Sequence, residues 1–183
     1  MAGLILASGS PRRRELLSIA GLDFEVIVAD IEEKIPDGAT PQEAVMSLAL
    51  QKADAVAKQN PERTVIGADT VVVCDGAILG KPKDEADAFK MLRALSGRVH
   101  TVCTGVAIIR GSEIKNFCEV TEVEFHELTD DEILAYVRTG EPMDKAGAYG
   151  IQGRGCVLVK RINGDYFNVV GLPVSRVYRE LNR

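Results

Sequence analysis

Apolar and polar positions along the chain change period repeatedly, and each change marks an element. Leu4 to Ala7 is a continuous apolar run followed at once by Ser8-Gly9-Ser10, which predicts a short buried strand and then a loop. Ser10 suits a helix N-cap, and Pro11 suits the first helical position, where its missing N–H costs nothing. Leu16, Leu17 and Ala20 form the apolar face of that helix, and Gly21 ends it. Phe24 to Val28 predicts a second strand, and the acidic, polar stretch Asp30 to Gly38 a loop. Thr40-Pro41 opens a second helix. Ala44, Val45, Leu48, Ala49 and Ala53 recur there at helical spacing, with Gln51 and Lys52 beside them.

Thr64 to Cys74 (TVIGADTVVVC) predicts a buried strand, or two strand pieces broken at Gly67. Asp75-Gly76 is a turn signal between extended runs. LGKPK predicts a loop, Asp84 to Leu95 a helix, and Ser96-Gly97 its stop. Val99 to Ile109 and Ile114 to His126 predict two strands joined through Arg110-Gly111-Ser112 as a long hairpin. Thr129-Asp130-Asp131-Glu132 is a capping signature for a helix through Val137. Glycines 147, 150, 153 and 155 predict a loop before a strand over Cys156 to Ile162, and Leu172 to Leu181 predicts a closing helix. Helices alternate with strands and hairpins are included, so the predicted class is α/β with a mixed sheet.

Composition narrows the function classes. The 183 residues are 46% hydrophobic and 27% charged, as in a soluble globular protein with one domain. The net charge of −5 argues against a broad electrostatic grip on nucleic acid, which needs a basic face. A local basic cluster in an acidic chain fits a small polyanion better. The four cysteines form no C-x-x-C pair and only two histidines are present, which speaks against a zinc site or a disulfide framework. The cysteines sit among apolar residues and are expected to pack as small hydrophobes. The first apolar run has no basic stretch before it and no cleavage pattern after it, and no run reaches the length of a membrane span. The expected address is the cytoplasm.

Four segments are candidates for chemistry. In SGSPRRR, Arg12, Arg13 and Arg14 stand at a helix start, where cations are mildly unfavourable unless an anion answers them. The strand–loop–helix entry aims free backbone N–H groups at the same point, and the arginine fork matches phosphate oxygens. A phosphate site is the better reading than a solvated cationic helix start. In GADTVVV, Asp69 interrupts an apolar run, so it is either a strand-end carboxylate facing a site or one that is structurally paired. Glu33, in the loop after the second strand, could supply another carboxylate. LGKPK fails as a Walker motif, one residue short and with Pro82 in place of Ser or Thr, but Lys81 could meet phosphate as a point charge. DKAGAYGIQGRG lacks the strand and helix that a dinucleotide fingerprint needs. Its Gln152 offers both donor and acceptor groups and could read a pyrimidine edge. Arginines, a lysine and carboxylates without a nucleophile–histidine pair suggest metal-assisted attack of water on a phosphate ester.

The runs LILASGSPRR, GADTVV, LGKPKD, SGRVHTVCTG and DKAGAYGIQG, in that order, resemble the Maf family of nucleoside triphosphate pyrophosphatases over nearly the whole chain. The DKAGAYGIQG form is similar to the subgroup acting on dTTP and UTP. The resemblance implies a single domain over residues 1–183 with two lobes and a central cleft, and an elongated mixed β-sheet flanked by helices, of the inosine-triphosphate-pyrophosphatase type. It implies hydrolysis of a nucleoside triphosphate to the monophosphate and pyrophosphate with a divalent cation, Mg²⁺ or Mn²⁺. By position, Asp69 matches the proposed proton acceptor, and Arg12, Thr70 and Gln152 match positions tied to substrate choice. Ser8, Arg13, Glu33, Lys52 and Lys81 match other polar residues of the cleft, with Glu33 and Asp69 as the metal-positioning carboxylates. Arg13 is then the phosphate clamp, and Arg14 is solvated or paired elsewhere. The resemblance also implies a homodimer. Two other functions use the same arginines: a non-catalytic, nucleotide-binding regulator of cell division, and a phosphotransferase.

Overall fold

A computed structural model of the chain describes residues 3–183. Strands and helices follow in the order β1 (Leu4–Leu6), α1 (Pro11–Ile19), β2 (Phe24–Val26), α2 (Pro41–Ala57), β3 (Thr64–Cys74), β4 (Ala77–Leu79), α3 (Glu85–Leu95), β5 (Val99–Arg110), β6 (Glu113–Phe125), α4 (Asp130–Val137), β7 (Val159–Asn163), α5 (Tyr166–Val170) and α6 (Val174–Leu181). The mixed sheet has the strand order β2-β1-β3-β5-β6-β7, with β4 on β3. The predicted α/β class and the β5–β6 hairpin are both present.

The chain divides into two compact units. The first comprises Met1–Thr70, Thr104–Glu119 and Gly171–Arg183. In it β1 runs parallel to both β2 and β3, with Leu6 opposite Val26 on one side and Ile66 on the other. Its core includes Ile5, Ala7, Ala49, Ala53, Val65 and Ala107. The alanines are there for a reason that two glycines reveal. A Cβ on Gly67 would stand 2.2 Å from the carbonyl oxygen of Ala49, and one on Gly105 would stand 2.3 Å from that of Val45. The backbone of α2 thus lies directly on β3 and β5, closer than any side chain permits. Thr40 and Glu43 close a capping box at its start, which fixes where α2 begins.

The second unit comprises Val71–Cys103 and Val120–Val170. Here β4 returns antiparallel on the end of β3 and β7 runs antiparallel to β6. Helices α3 and α4 pack over its own core, which includes Leu92, Leu95, Val123, Phe125, Ile133 and Leu158. Thr129 and Glu132 form the expected capping box of α4.

The structure sharpens or corrects the sequence reading in four places. Of the two readings of Thr64–Cys74, the continuous strand is the one present, and Gly67 does not break it because the missing side chain serves the helix above. The strand expected over Cys156 to Ile162 is only Val159–Asn163, and its first part is a 3-10 segment over Gly153–Leu158. Glycines at 153 and 155 let the chain coil there instead of extending. The closing helix begins at Val174, and the short α5 precedes it across Gly171. Of the four cysteines only Cys74 and Cys103 are buried, Cys118 is partly buried, and Cys156 is exposed rather than packed. Among the described residues, no helix is long and apolar enough to cross a membrane.

Candidate active site

The first unit gathers two polar clusters around the carboxyl end of β1, the end at which open α/β sheets present ligand sites. Ser10 caps α1 as expected, accepting from the Arg13 N–H. The cap sets the arginines on different sides of the helix. Arg13 turns inward and is buried, while Arg14 is exposed and donates to the Gly9 carbonyl. Arg12 lies between these extremes, half-buried.

The guanidinium of Arg13 donates from Nε to the Gly171 carbonyl at 2.8 Å, from Nη1 to Ser8 Oγ at 3.0 Å and from Nη2 to Thr70 Oγ1 at 3.0 Å. These bonds use three of its five donors. None of the three acceptors carries a charge. Burial pulls the Arg13 pKa below the ordinary arginine value; the charge of Asp69 opposes this, Arg12 adds to it and Glu33 opposes it. The group stays a cation held by neutral oxygens, an arrangement that favours an anionic ligand. Gly171 stands at φ 131°, a conformation L side chains rarely adopt, and so aims its carbonyl at Arg13. Thr70 Oγ1 also meets Thr104 Oγ1 at 2.9 Å, and Thr104 is fully buried.

The second cluster lies under α2. Lys52 Nζ bonds Asp69 Oδ1 at 2.6 Å and Glu33 Oε1 at 2.9 Å. Successive strand residues point to opposite faces, so Asp69 shares the face of Gly67, on which α2 rests. That close seat brings Lys52 down onto Asp69. The Lys52 and Asp69 side chains are only 16% and 17% exposed, whereas Glu33 is about half exposed at 48%. Two carboxylates around one ammonium leave the trio one negative charge in excess. Among the described residues, no group of three or more His, Cys, Asp and Glu could hold a metal ion.

Lys81 and Gln152 belong to the second unit. Lys81 is exposed in the loop between β4 and α3, and Gln152 is half-buried at the start of the Gly153–Leu158 segment. The two loops are joined by the Gly147 N–H donating to the Gly80 carbonyl at 3.0 Å. Glu141 anchors the glycine loop from beneath. It accepts from Tyr136 Oη at 2.9 Å, from the Arg154 N–H at 2.9 Å and from the Gly155 N–H at 3.0 Å. Burial acts to raise the Glu141 pKa, but the Arg154 and Gly155 amides, the Tyr136 hydroxyl and Lys145 together hold it below the usual value. A second anchor is Tyr149, whose hydroxyl meets His100 Nε2 at 2.7 Å beside Phe125.

His100 makes an expected pH effect. It is buried, its Nδ1 has no partner, and burial lowers its pKa to about 4. The unfolded chain takes the same proton near pH 6.5. Between those values the unfolded state binds more protons, so stability is full above about pH 6.5 and falls as pH drops toward 4. The loss expected from His100 alone is on the order of 3 kcal/mol. Urea unfolding of the protein and of His100→Gln at pH 7 and pH 4 measures it as the part of the acid loss that the variant lacks. Equal losses in both proteins overturn it.

The Maf-like protein family matches residues 3–183. This chain belongs to the Maf family. It is 57% identical, over all 183 of its residues and 96% of the relative, to a Bacillus cereus protein named dTTP/UTP pyrophosphatase. Relatives of the same name from Bacillus thuringiensis subsp. konkukian and Bacillus anthracis are 57% and 56% identical over the same shares. The solved Ham1 protein of Staphylococcus aureus matches with a TM-score of 0.50 and 21% identity, covering 84% of this chain and 77% of that one. That likeness shows the fold, the mixed-sheet type implied by the sequence resemblance.

Of the Maf residues expected from the sequence, the structure brings Ser8, Arg13 and Thr70 into one cluster and Glu33, Lys52 and Asp69 into another. Sequence reasoning missed Thr104, the Gly171 carbonyl and Glu141. Thr104 lies inside SGRVHTVCTG, so its motif was seen but not its partner. Nothing in EPMDK marks Glu141 as the acceptor of two amides thirteen and fourteen residues away.

Proposed function

We propose that this Maf protein is a dTTP/UTP pyrophosphatase that cleaves its substrate to the monophosphate and pyrophosphate. The observation that carries this reading is the buried Arg13 cation held only by neutral oxygens, close enough to feel the charges of Asp69 and Glu33. Full-length identity of 57% to relatives named for that activity supports the substrate class.

In this mechanism Arg13 holds the triphosphate with backbone N–H groups at the start of α1, and the family resemblance implies a phosphate contact for Lys81. Asp69 accepts the proton of the attacking water, and Glu33 orients that water. Lys52 holds both carboxylates in place. The cations around the phosphates stabilise charge that develops on oxygen in the transition state. The family resemblance implies that Gln152 reads the pyrimidine base and that Arg12 bears on substrate choice. Thr70 acts on substrate choice through Arg13, whose Nη2 it receives.

The donors present suit a hard divalent cation. Glu33 and Asp69 each have a second oxygen beyond the one given to Lys52, and Mg²⁺ is commonly held by one or two carboxylates together with substrate phosphates. Mg²⁺ or Mn²⁺ bound there supplies charge neutralisation to the triphosphate oxygens. The reading includes a cytoplasmic address, on the family resemblance. It also includes a homodimer, on the family resemblance.

Product analysis with UTP, dTTP, CTP, ATP and GTP and Mg²⁺ tests the function. Monophosphate plus pyrophosphate is expected, with UTP and dTTP preferred. No turnover would indicate a nucleotide-binding regulator, and phosphate on a second acceptor a phosphotransferase. Gln152→Ala is expected to shrink the preference for UTP over CTP by roughly 10-fold or more, since a site that pairs with a substrate polar group discriminates by that pairing. An unchanged preference overturns the role of Gln152.

A further inference from the structure

Between β2 and α2 the chain from Val28 to Ile35 forms neither strand nor helix, yet it must deliver Glu33 to Lys52. No helix or ladder bond fixes the path of such a segment, so its position depends on contacts from other elements. Gln51 makes two of them, both to Lys34. Its Oε1 accepts from the Lys34 N–H at 3.1 Å and its Nε2 donates to the Lys34 carbonyl at 2.6 Å. The side-chain amide imitates a peptide group and pairs with both sides of one residue. Nε2 also donates to Ser47 Oγ at 3.0 Å, one helical turn back, which fixes the amide's orientation. The fastened residue directly follows Glu33, and the fastening residue directly precedes Lys52.

We infer that Gln51, steadied by Ser47, is a positioning residue that sets the register of the Glu33 loop on α2 and so holds the Glu33 carboxylate at Lys52. This rests on the reading of Glu33 as a working carboxylate. Lys52 reaches Asp69 without help, because both lie on α2 and β3, whose seating Gly67 sets. Glu33 has no regular element under it. Its 2.9 Å contact with Lys52 is the part of the trio that needs a clamp.

The test uses Gln51→Met, which keeps side-chain length and helix propensity but loses all three bonds. With UTP and Mg²⁺, kcat is expected to fall roughly 10-fold while KM stays within about twofold, because a displaced reacting group costs rate and not ground-state binding. The melting temperature should be near wild type. Protection of the Lys34 amide from hydrogen exchange should be lost. Glu33→Gln should lower kcat further, and the double variant should match Glu33→Gln within about twofold, the coupling expected of residues acting as a unit. A crippled Glu33→Gln enzyme beside an unaffected Gln51→Met enzyme overturns this inference alone. Additive losses in the double variant overturn it too, by showing Gln51 to act elsewhere. An unaffected Glu33→Gln enzyme overturns the reading of Glu33 and this inference with it.

Discussion

Asp69→Asn is expected to lower kcat for UTP by about 10²–10⁴-fold, the span over which a positioned general base acts. The substitution changes little else. Asparagine has the same shape, and its carbonyl oxygen still accepts from Lys52, which stands 2.6 Å from Oδ1. Glu33 remains to balance the ammonium. Arg13 loses one favourable charge but keeps its three neutral acceptors, so nucleotide binding should persist. Calorimetric titration with UTP and a thermal melt should therefore look near normal while pyrophosphate release nearly stops. Near-normal turnover would remove Asp69 from the chemistry.

The largest stability effect is expected at the seat of α2. Gly67→Ala places a methyl 2.2 Å from the Ala49 oxygen and 2.7 Å from the Ala53 nitrogen, and Gly105→Ala places one 2.3 Å from the Val45 carbonyl. These are backbone atoms, so no rotamer change relieves the overlap. The helix must lift, opening gaps around Ala49 and Ala53 that nothing fills. Each variant should lose about 3 kcal/mol or more, the upper part of the range for overpacking. Gly67→Ala carries a second cost, since the helix lifts beside Lys52, directly over Asp69. What remains folded should show a lower kcat than Gly105→Ala, whose contact lies one to two turns nearer the helix start. Gly80→Ala, with nothing within 4 Å, is the control and should unfold like the wild type. Urea denaturation of the three variants decides it, and a near-neutral Gly67→Ala would show that α2 is not seated as described.

Local chemistry was legible wherever a few neighbouring residues settle the outcome. Ser10-Pro11 placed the start of α1, Thr129 to Glu132 placed α4, and the turn at Gly111 placed the β5–β6 hairpin. Among the three arginines, the family resemblance implies Arg13 as the phosphate clamp; Arg13 is also the one the fold buries. Errors fell where a residue's role depends on something distant. At Gly67 a strand break stays open as an alternative until α2 is seen resting on it. Cys156 reads as a small hydrophobe until the glycine-rich segment is seen to coil it outward. Gln51 reads as one polar residue on a helix, because its partner is a backbone seventeen positions away with no side-chain signature.

By itself, the sequence determined the class of fold, the helix boundaries with strong caps, and the set of polar residue types that point to a phosphate ligand. Those features rest on short-range sterics, capping bonds and periodic burial, which nearest neighbours specify. Only the tertiary structure decided that Lys52 bridges Glu33 and Asp69, that Arg13 is held by Ser8, Thr70 and the Gly171 carbonyl, and that Gln51 clamps the Glu33 loop. All but the Arg13–Ser8 contact join groups far apart along the chain. The meeting of Lys52 and Asp69 depends on how closely α2 can settle on bare glycine backbone.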